Sequence, residues 1–240
     1  MPQPAKPQPL REVLKQLFPN QCLLCGQPGQ TTCKPCLAGL PWLEHCCQRC
    51  ALPLSSRAEL CAHCLREPPV FQHCLCLWRY EFPINGLIQR FKYQANRDAR
   101  TFLETQLSRA VGIYLAQCDR AYDAVLAVPS HPLRRFRRGY NPSYQLAKAV
   151  SQYCQCPHTQ ALGKSRWSHS QQGLNRKQRL KNLSGSFSVH GPVAGQRLLL
   201  IDDVMTTATT ANVISELLLN HGATSVDIAC LARTPQHMSS

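Results

Sequence analysis

No run of apolar residues in this 240-residue chain approaches the roughly 18 that a membrane-spanning helix requires, which excludes a helical integral membrane protein. The first nine residues, Met1 to Pro9, are polar and proline-rich, with no apolar segment behind a basic start. No secretory signal is expected, and the chain reads as cytoplasmic. Large apolar side chains are too few between positions 20 and 70 to build a core unaided. Acid is missing over a longer stretch: between Ala124 and Ile201 there is no Asp or Glu, while Arg and Lys contribute twelve positive charges. Most of the formal net charge of +14 therefore sits in one segment. Such a field suits a polyanion, whether pyrophosphate, a nucleotide or a nucleic-acid backbone, and a solvated basic surface is the plainer alternative.

Cysteine is abundant, with fifteen in the chain, and a reducing compartment requires a reason for them other than disulfides. Spacing supplies it. Cys22 and Cys25, Cys33 and Cys36, Cys47 and Cys50, and Cys61 and Cys64 form successive pairs, each separated by two residues, the spacing that presents two thiolates from one tight turn. Two tetrahedral Zn2+ sites are expected, one on Cys22, Cys25, Cys33 and Cys36 and one on Cys47, Cys50, Cys61 and Cys64, although a crossed pairing satisfies the same spacing. Cys46, His45 and His63 compete for places in the second set. Four thiolates close a site, so both are read as structural. Two Zn2+ on eight thiolates would lower the net charge by four (−8 + 4), to about +10. The remaining cysteines, Cys74, Cys76, Cys118, Cys154, Cys156 and Cys230, have no such pattern and suit small apolar positions.

The most informative stretch runs from Leu198 to Thr210. Leu198, Leu199, Leu200 and Ile201 read as a buried parallel strand, with Asp202 and Asp203 at its carboxyl end. Thr206, Thr207, Ala208, Thr209 and Thr210 form a hydroxyl-rich turn before a helix. Paired carboxylates accept hydrogen bonds from vicinal sugar hydroxyls, while hydroxyls and N–H groups at a helix start hold a phosphate. Many strands of doubly wound proteins end in Asp, but the threonine run suits phosphate binding better than a helix interior. This arrangement fits phosphoribosyl pyrophosphate (PRPP). The segment resembles the PRPP fingerprint of type I phosphoribosyltransferases, an aspartate pair followed two residues on by Thr-Thr-Gly-x-Thr, except at Ala208, where that family has Gly. If the backbone there is left-handed, the methyl group costs about 1 kcal/mol.

Two further basic settings accompany it. A strand over 124–128 ends in the turn Pro129-Ser130-His131-Pro132, then an Arg-rich loop from Arg134 to Tyr140, then a helix near 143–152 with Leu146, Ala147 and Val150 on one face. The Val-Pro turn and Arg138-Gly139-Tyr140-Asn141 resemble the pyrophosphate-loop region of the ComF family, with Pro142 where that family commonly has Gln. The second setting, Arg166 through Phe187, contains Ser170-Gln171-Gln172-Gly173-Leu174, Arg179, Asn182 and Phe187, similar to the same family's pattern ahead of the PRPP strand. It serves either as a cover over the site or as an exposed connection.

From Cys22 to Arg233 the order of paired cysteines, Lys92-Tyr93, Arg-Gly-Tyr-Asn, Ser-Gln segment and PRPP turn is similar to that of ComF/GntX-type proteins. That resemblance implies an α/β parallel-sheet type I phosphoribosyltransferase-like domain over 71–240. A double zinc ribbon over 20–70 and a tail with a short helix over 1–19 would precede it. Alternating elements agree: a helix over 99–117, strands at 124–128, 198–201 and 226–231, and a helix from Thr209 to Asn220 stopped by Gly222. The implied ligands are PRPP with Mg2+. Asp202 and Asp203 would hold the ribose hydroxyls and Thr206, Thr207 and Thr210 the 5′-phosphate. Ala208 and Thr209 lie within the same turn, and Arg135 and Arg138 would lie near the departing pyrophosphate. No residue stands out as a general base, and a good leaving group needs none. The implied role lies in competence, DNA uptake or the use of external DNA. The competing class is a zinc-ribbon module binding single-stranded DNA without transfer chemistry, for which Trp78, Tyr80 and Phe82 are candidate stacking residues, although their alternation suits a strand's core face better. A weaker third class is an adaptor for proteins of the competence machinery.

Overall fold

A computed structural model describes residues 21–55, 58–118, 121–164 and 185–235, and the chain divides into the units Met1–Leu40 and Pro41–Ser240. The segments 1–20 and 165–184, the latter with Arg166, the Ser-Gln motif, Arg179 and Asn182, lie outside the described residues. In the first unit the turn after Cys22 closes with Gly26 N–H donating to the Cys22 carbonyl, and Gly26 takes φ 75°, a left-handed conformation glycine adopts without strain. Helix α1, Lys34–Ala38, follows with Pro35 in its first turn.

The second unit holds the short helix α2, Ala62–Arg66, and then the sheet. Strands β1 (Cys74–Arg79), β2 (Ala124–Ala127), β5 (Arg197–Met205) and β6 (Ser225–Arg233) form a parallel sheet in the order β1-β6-β5-β2, as the alternation of strand and helix predicts. The pairs Leu126↔Leu200, Leu200↔Ile228, Cys74↔Ile228 and Cys76↔Cys230 set the register. Segment 157–159 runs beside the outer edge of β2 and satisfies its polar groups, with Val125 N–H donating to the Pro157 carbonyl and Thr159 N–H to the Val125 carbonyl. Strands β3 (Leu162–Lys164) and β4 (Phe187–Val189) form a separate antiparallel pair.

Helices α3 (Ile84–Tyr93), α4 (Arg97–Cys118) and α6 (Pro142–Cys154) bury their apolar stripes, among them Leu87 and Phe91, Leu103 and Leu107, and Leu146 and Val150. One face of the sheet, carrying Leu126, Leu198, Leu200, Ile228, Cys74, Cys76 and Cys230, packs with Ile214 and Leu218 of helix α7 (Thr209–Asn220) and with Cys47, Cys50, Cys61 and Cys64. The second cysteine set is thus part of the sheet's own core.

Three local expectations are corrected. The Arg-rich stretch is helix α5, Pro132–Arg138, rather than a loop: Pro132 sits in its first turn, His131 Nδ1 caps the Leu133 N–H at 3.2 Å, and Gly139 stops it at φ 77°. Strand β5 continues past Ile201 through Asp202 and Asp203 to Met205, because backbone pairing to β6 continues after the apolar run has ended. Strand β1 ends at Arg79, so of the aromatic trio only Trp78 is fully buried, stacked 6.0 Å from Phe102, while Phe82 is 84% exposed.

Candidate functional site

The eight paired cysteines assemble as two groups in the sequential pairing, Cys22, Cys25, Cys33 and Cys36 in the first unit and Cys47, Cys50, Cys61 and Cys64 in the second, with the ligand atoms of each group all within 4.8 Å of one another. Four soft donors at that separation are what tetrahedral Zn2+ takes. Backbone N–H groups favour the thiolate at one cysteine of each group, while side-chain hydrogen bonds from neighbouring thiols push Cys36 up and burial pushes Cys50 and Cys64 up. Burial pushes Cys22 up, but N–H groups of Cys33, Cys25 and Leu24 outweigh it and bring the thiol down to about 6. Cys47 is likewise opposed by burial yet lowered to about 7 by N–H groups of Cys61, Cys50 and Arg49. His45, His63 and Cys46 stay outside both groups.

Asp202 and Asp203 have different neighbours. Asp202 Oδ1 accepts from Ser143 Oγ at 3.0 Å and from the Asp203 N–H at 2.8 Å. Burial pushes its carboxyl up to about 7, reinforced by the charge of Asp203 and opposed by those two hydrogen bonds. Asp203 Oδ1 lies 2.7 Å from Lys92 Nζ of α3 in an ion pair whose side chains are 16% (Lys92) and 12% (Asp203) exposed. Sequence reasoning gave Lys92 and Ser143 no role. Ser143 opens α6, 59 residues before Asp202, and no local pattern reports contacts at such separation.

Ser143 also links Asp202 to the end of β2. Asn141 caps α6 by accepting from the Ser143 N–H at 3.2 Å, its Nδ2 donates to the Val128 carbonyl at 3.0 Å, and its Oδ1 accepts from Ser130 Oγ at 2.6 Å. The turn after β2 and the carboxylate pair of β5 therefore share one hydrogen-bond chain. Arg138, expected near pyrophosphate, donates to Tyr93 Oη at 2.6 Å and lies 4.5 Å above the Tyr93 ring. Arg135 instead lines a cleft of about 590 Å3 with Ser130, Gly139, Asn141 and Lys164.

Thr206 to Thr210 join β5 to α7. Ala208 stands at the start of α7 with φ 59° and ψ 0°, the left-handed conformation for which the fingerprint uses Gly. Its carbonyl accepts the Asn212 N–H at 2.9 Å, and Thr207 Oγ1 and Thr209 Oγ1 are 2.9 Å apart. Thr207, Ala208 and Thr209 line a cleft with Cys50, Cys61, Asn212 and Arg233, apart from the cleft that Arg135 lines; hydroxyls at the start of a 12-residue helix are chemistry suited to an anion.

Residues 13–76 match the double zinc ribbon domain, and residues 137–239 match the phosphoribosyl transferase domain. The DNA utilization protein YhgH of Escherichia coli K12 is 30% identical over 226 residues, covering 90% of this chain and 98% of the relative. Competence protein F of Haemophilus influenzae is 30% identical over 78% of this chain and 84% of its own length. Competence protein ComFC of Streptococcus pneumoniae is 25% identical over 89% and 100%. With both domains in the same order and the YhgH match running almost from end to end, the chain belongs to the ComF family.

Proposed function

We propose that the chain binds PRPP with Mg2+ and transfers its phosphoribosyl group to a nitrogen acceptor, in the cytoplasm and in the service of DNA utilization or competence. One observation carries this reading: two adjacent carboxylates, each held by a residue from another helix, stand immediately before a threonine-rich turn with a left-handed residue at position 208. Asp202 and Asp203 would accept the ribose hydroxyls, and Thr206, Thr207 and Thr210 with the first N–H groups of α7 would hold the 5′-phosphate. Arg135 would neutralise charge on pyrophosphate as the anomeric C–O bond breaks and the acceptor nitrogen's lone pair forms the new C–N bond, its proton passing to solvent. Mg2+, when bound, would supply positive charge that offsets the charge on pyrophosphate, with Asp202 and Asp203 to hold it. The two carboxylates are a hard-oxygen donor set that suits it.

Calorimetric titration of Mg–PRPP into the zinc-loaded protein, beside the Asp202→Asn/Asp203→Asn variant, tests the reading. Saturable, Mg-dependent binding lost in the variant is expected; heat unchanged by the variant would overturn it.

A second reading, single-stranded DNA binding, is favoured by α5, where Phe136 is 88% exposed among Arg135, Arg137 and Arg138. An exposed ring amid guanidinium groups suits a base stacked over a phosphate track. It predicts binding that falls steeply with salt, drops in Phe136→Ala and is indifferent to Asp202→Asn.

A further inference from the structure

Arg233, the last residue of β6, is 3% exposed and gives its guanidinium to backbone carbonyls. Its Nε donates to the Cys50 carbonyl at 3.1 Å. Its Nη1 donates to the carbonyls of Met205 at 3.1 Å, Thr206, and Thr234 at 3.2 Å. Cys50 belongs to the second cysteine group and is followed by Ala51 at φ 54° in the tight metal turn. Met205 and Thr206 open the threonine-rich turn. A trans peptide is planar, with C=O and N–H on opposite sides. Drawing the carbonyls of Met205 and Thr206 toward Arg233 therefore points the N–H groups of Thr206 and Thr207 away from it, the orientation an anion in the turn requires.

A second strap fastens the other end of the turn. Asn212 Oδ1, in the first turn of α7, accepts the Val70 N–H at 2.8 Å. The segment around Val70 is held by Arg49, within the Cys47–Cys50 turn, whose Nε and Nη2 donate to the carbonyls of Phe71 and Pro69, both at 3.0 Å. Between the straps lies a cleft of about 510 Å3 lined by Leu52, His63, Glu67, Thr207 and Asn212, so these polar contacts bridge an open space between metal turn and threonine turn.

We propose that Arg233 is a positioning residue that couples metal occupancy of the Cys47, Cys50, Cys61 and Cys64 site to the conformation of the Thr206–Thr210 turn, so that zinc in that site favours anion binding in the turn. The inference rests on the PRPP reading for its ligand. Coupling between two sites is reciprocal: whatever holds the turn must equally retain the metal. A guanidinium spans both sets of carbonyls; a lysine ammonium in its place keeps the charge but cannot reach both.

The test follows zinc release to a chromophoric chelator from full-length protein carrying Cys25→Ser, which removes the first site's contribution, with and without Mg–PRPP. Mg–PRPP is expected to slow release about fivefold or more. Adding Arg233→Lys is expected to preserve zinc content and abolish that protection, with a lowered melting transition because lysine leaves part of the carbonyl set unpaired; a merely structural role would lower the transition and leave the protection intact. Protection retained in Arg233→Lys, or absent from the Cys25→Ser protein while calorimetry shows Mg–PRPP bound, overturns the inference. Where calorimetry shows no PRPP binding, the PRPP reading falls. The coupling is then read from hydrogen exchange of the amides over 204–212, expected to be faster in Arg233→Lys; unchanged exchange overturns it. If Arg233→Lys does not fold, Asn212→Ala, which cuts only the second strap, is expected to halve the protection or more, and full protection in that variant overturns the coupling.

Discussion

The two four-cysteine groups share a ligand pattern and differ in surroundings. In the first unit Cys22 is buried, Cys33 and Cys36 are half-buried and Cys25 is exposed, with one five-residue helix among the described residues. In the second unit all four cysteines are buried and belong to one apolar cluster with Leu198, Leu200, Ile228 and Ile214. The same metal therefore does different work in each. In the first it stands in for a core, since Cys22 and Leu40 are the buried apolar residues among the described ones; in the second it fixes one wall of the sheet's core, with Arg233 bonded across to the Cys50 carbonyl and Asn212 to Val70. A motif gives the coordination chemistry, while the neighbours decide how far losing it spreads.

The contrast is broken most sharply by removing one thiol from each group. Cys61→Ser is expected to cost the sheet unit more than about 4 kcal/mol and lower its calorimetric transition by roughly 10 °C or more. Cys25→Ser is expected to leave that transition within about 1 °C while zinc content falls from two to one per chain. Equal losses in the two variants would erase the distinction.

With the first group as internal reference, three substitutions in the sheet unit sharpen it further. Asp203→Asn leaves the mostly buried Lys92 ammonium without its partner and is expected to cost about 3 kcal/mol in denaturant unfolding. Asp202→Asn should act in the opposite sense and depend on pH. Because the folded carboxyl titrates near 7 rather than at the unfolded value of 3.8, the folded state holds an extra proton between those values, and stability falls as pH rises through that window. The substitution removes this loss, so a gain on the order of 1–2 kcal/mol is expected at pH 8 and none at pH 4. Mg–PRPP affinity should rise with pH toward 7 in the parent protein, since sugar hydroxyls are accepted by the ionised form. Ala208→Gly relieves the left-handed methyl and is expected to add about 1 kcal/mol and to tighten Mg–PRPP binding. Neither Asp202→Asn nor Ala208→Gly should alter zinc release from the first group.

Much of the fold was legible because its signals are local. The CxxC pairs, the apolar run 198–201 and the stop at Gly222 each speak through neighbouring residues. The bounds of β5 were not, because the carboxylates interrupt the apolar pattern while pairing to β6 continues beneath it. Helix α5 was hidden by its proline and arginines, although Pro132 and Gly139 are start and stop residues. At the candidate site, the adjacency of Asp202, Asp203 and the threonine turn could be read from spacing. The partners of Lys92, Ser143 and Arg233 could not, since each is met through the folding of the sheet rather than through adjacency in the chain.

Strand β1 lies at one edge of the sheet and pairs with β6, which enters the chain some 150 residues later. During synthesis the second cysteine group and β1 emerge long before any of the strands that cover them. The sheet cannot close until β6 has been made, so the unit completes itself only once synthesis has passed Arg233. Until then its thiols are open to oxidation and its first strand to foreign pairing. Early capture of zinc would shield the thiols during that wait, which makes metal supply during translation, as well as in the finished protein, a determinant of yield.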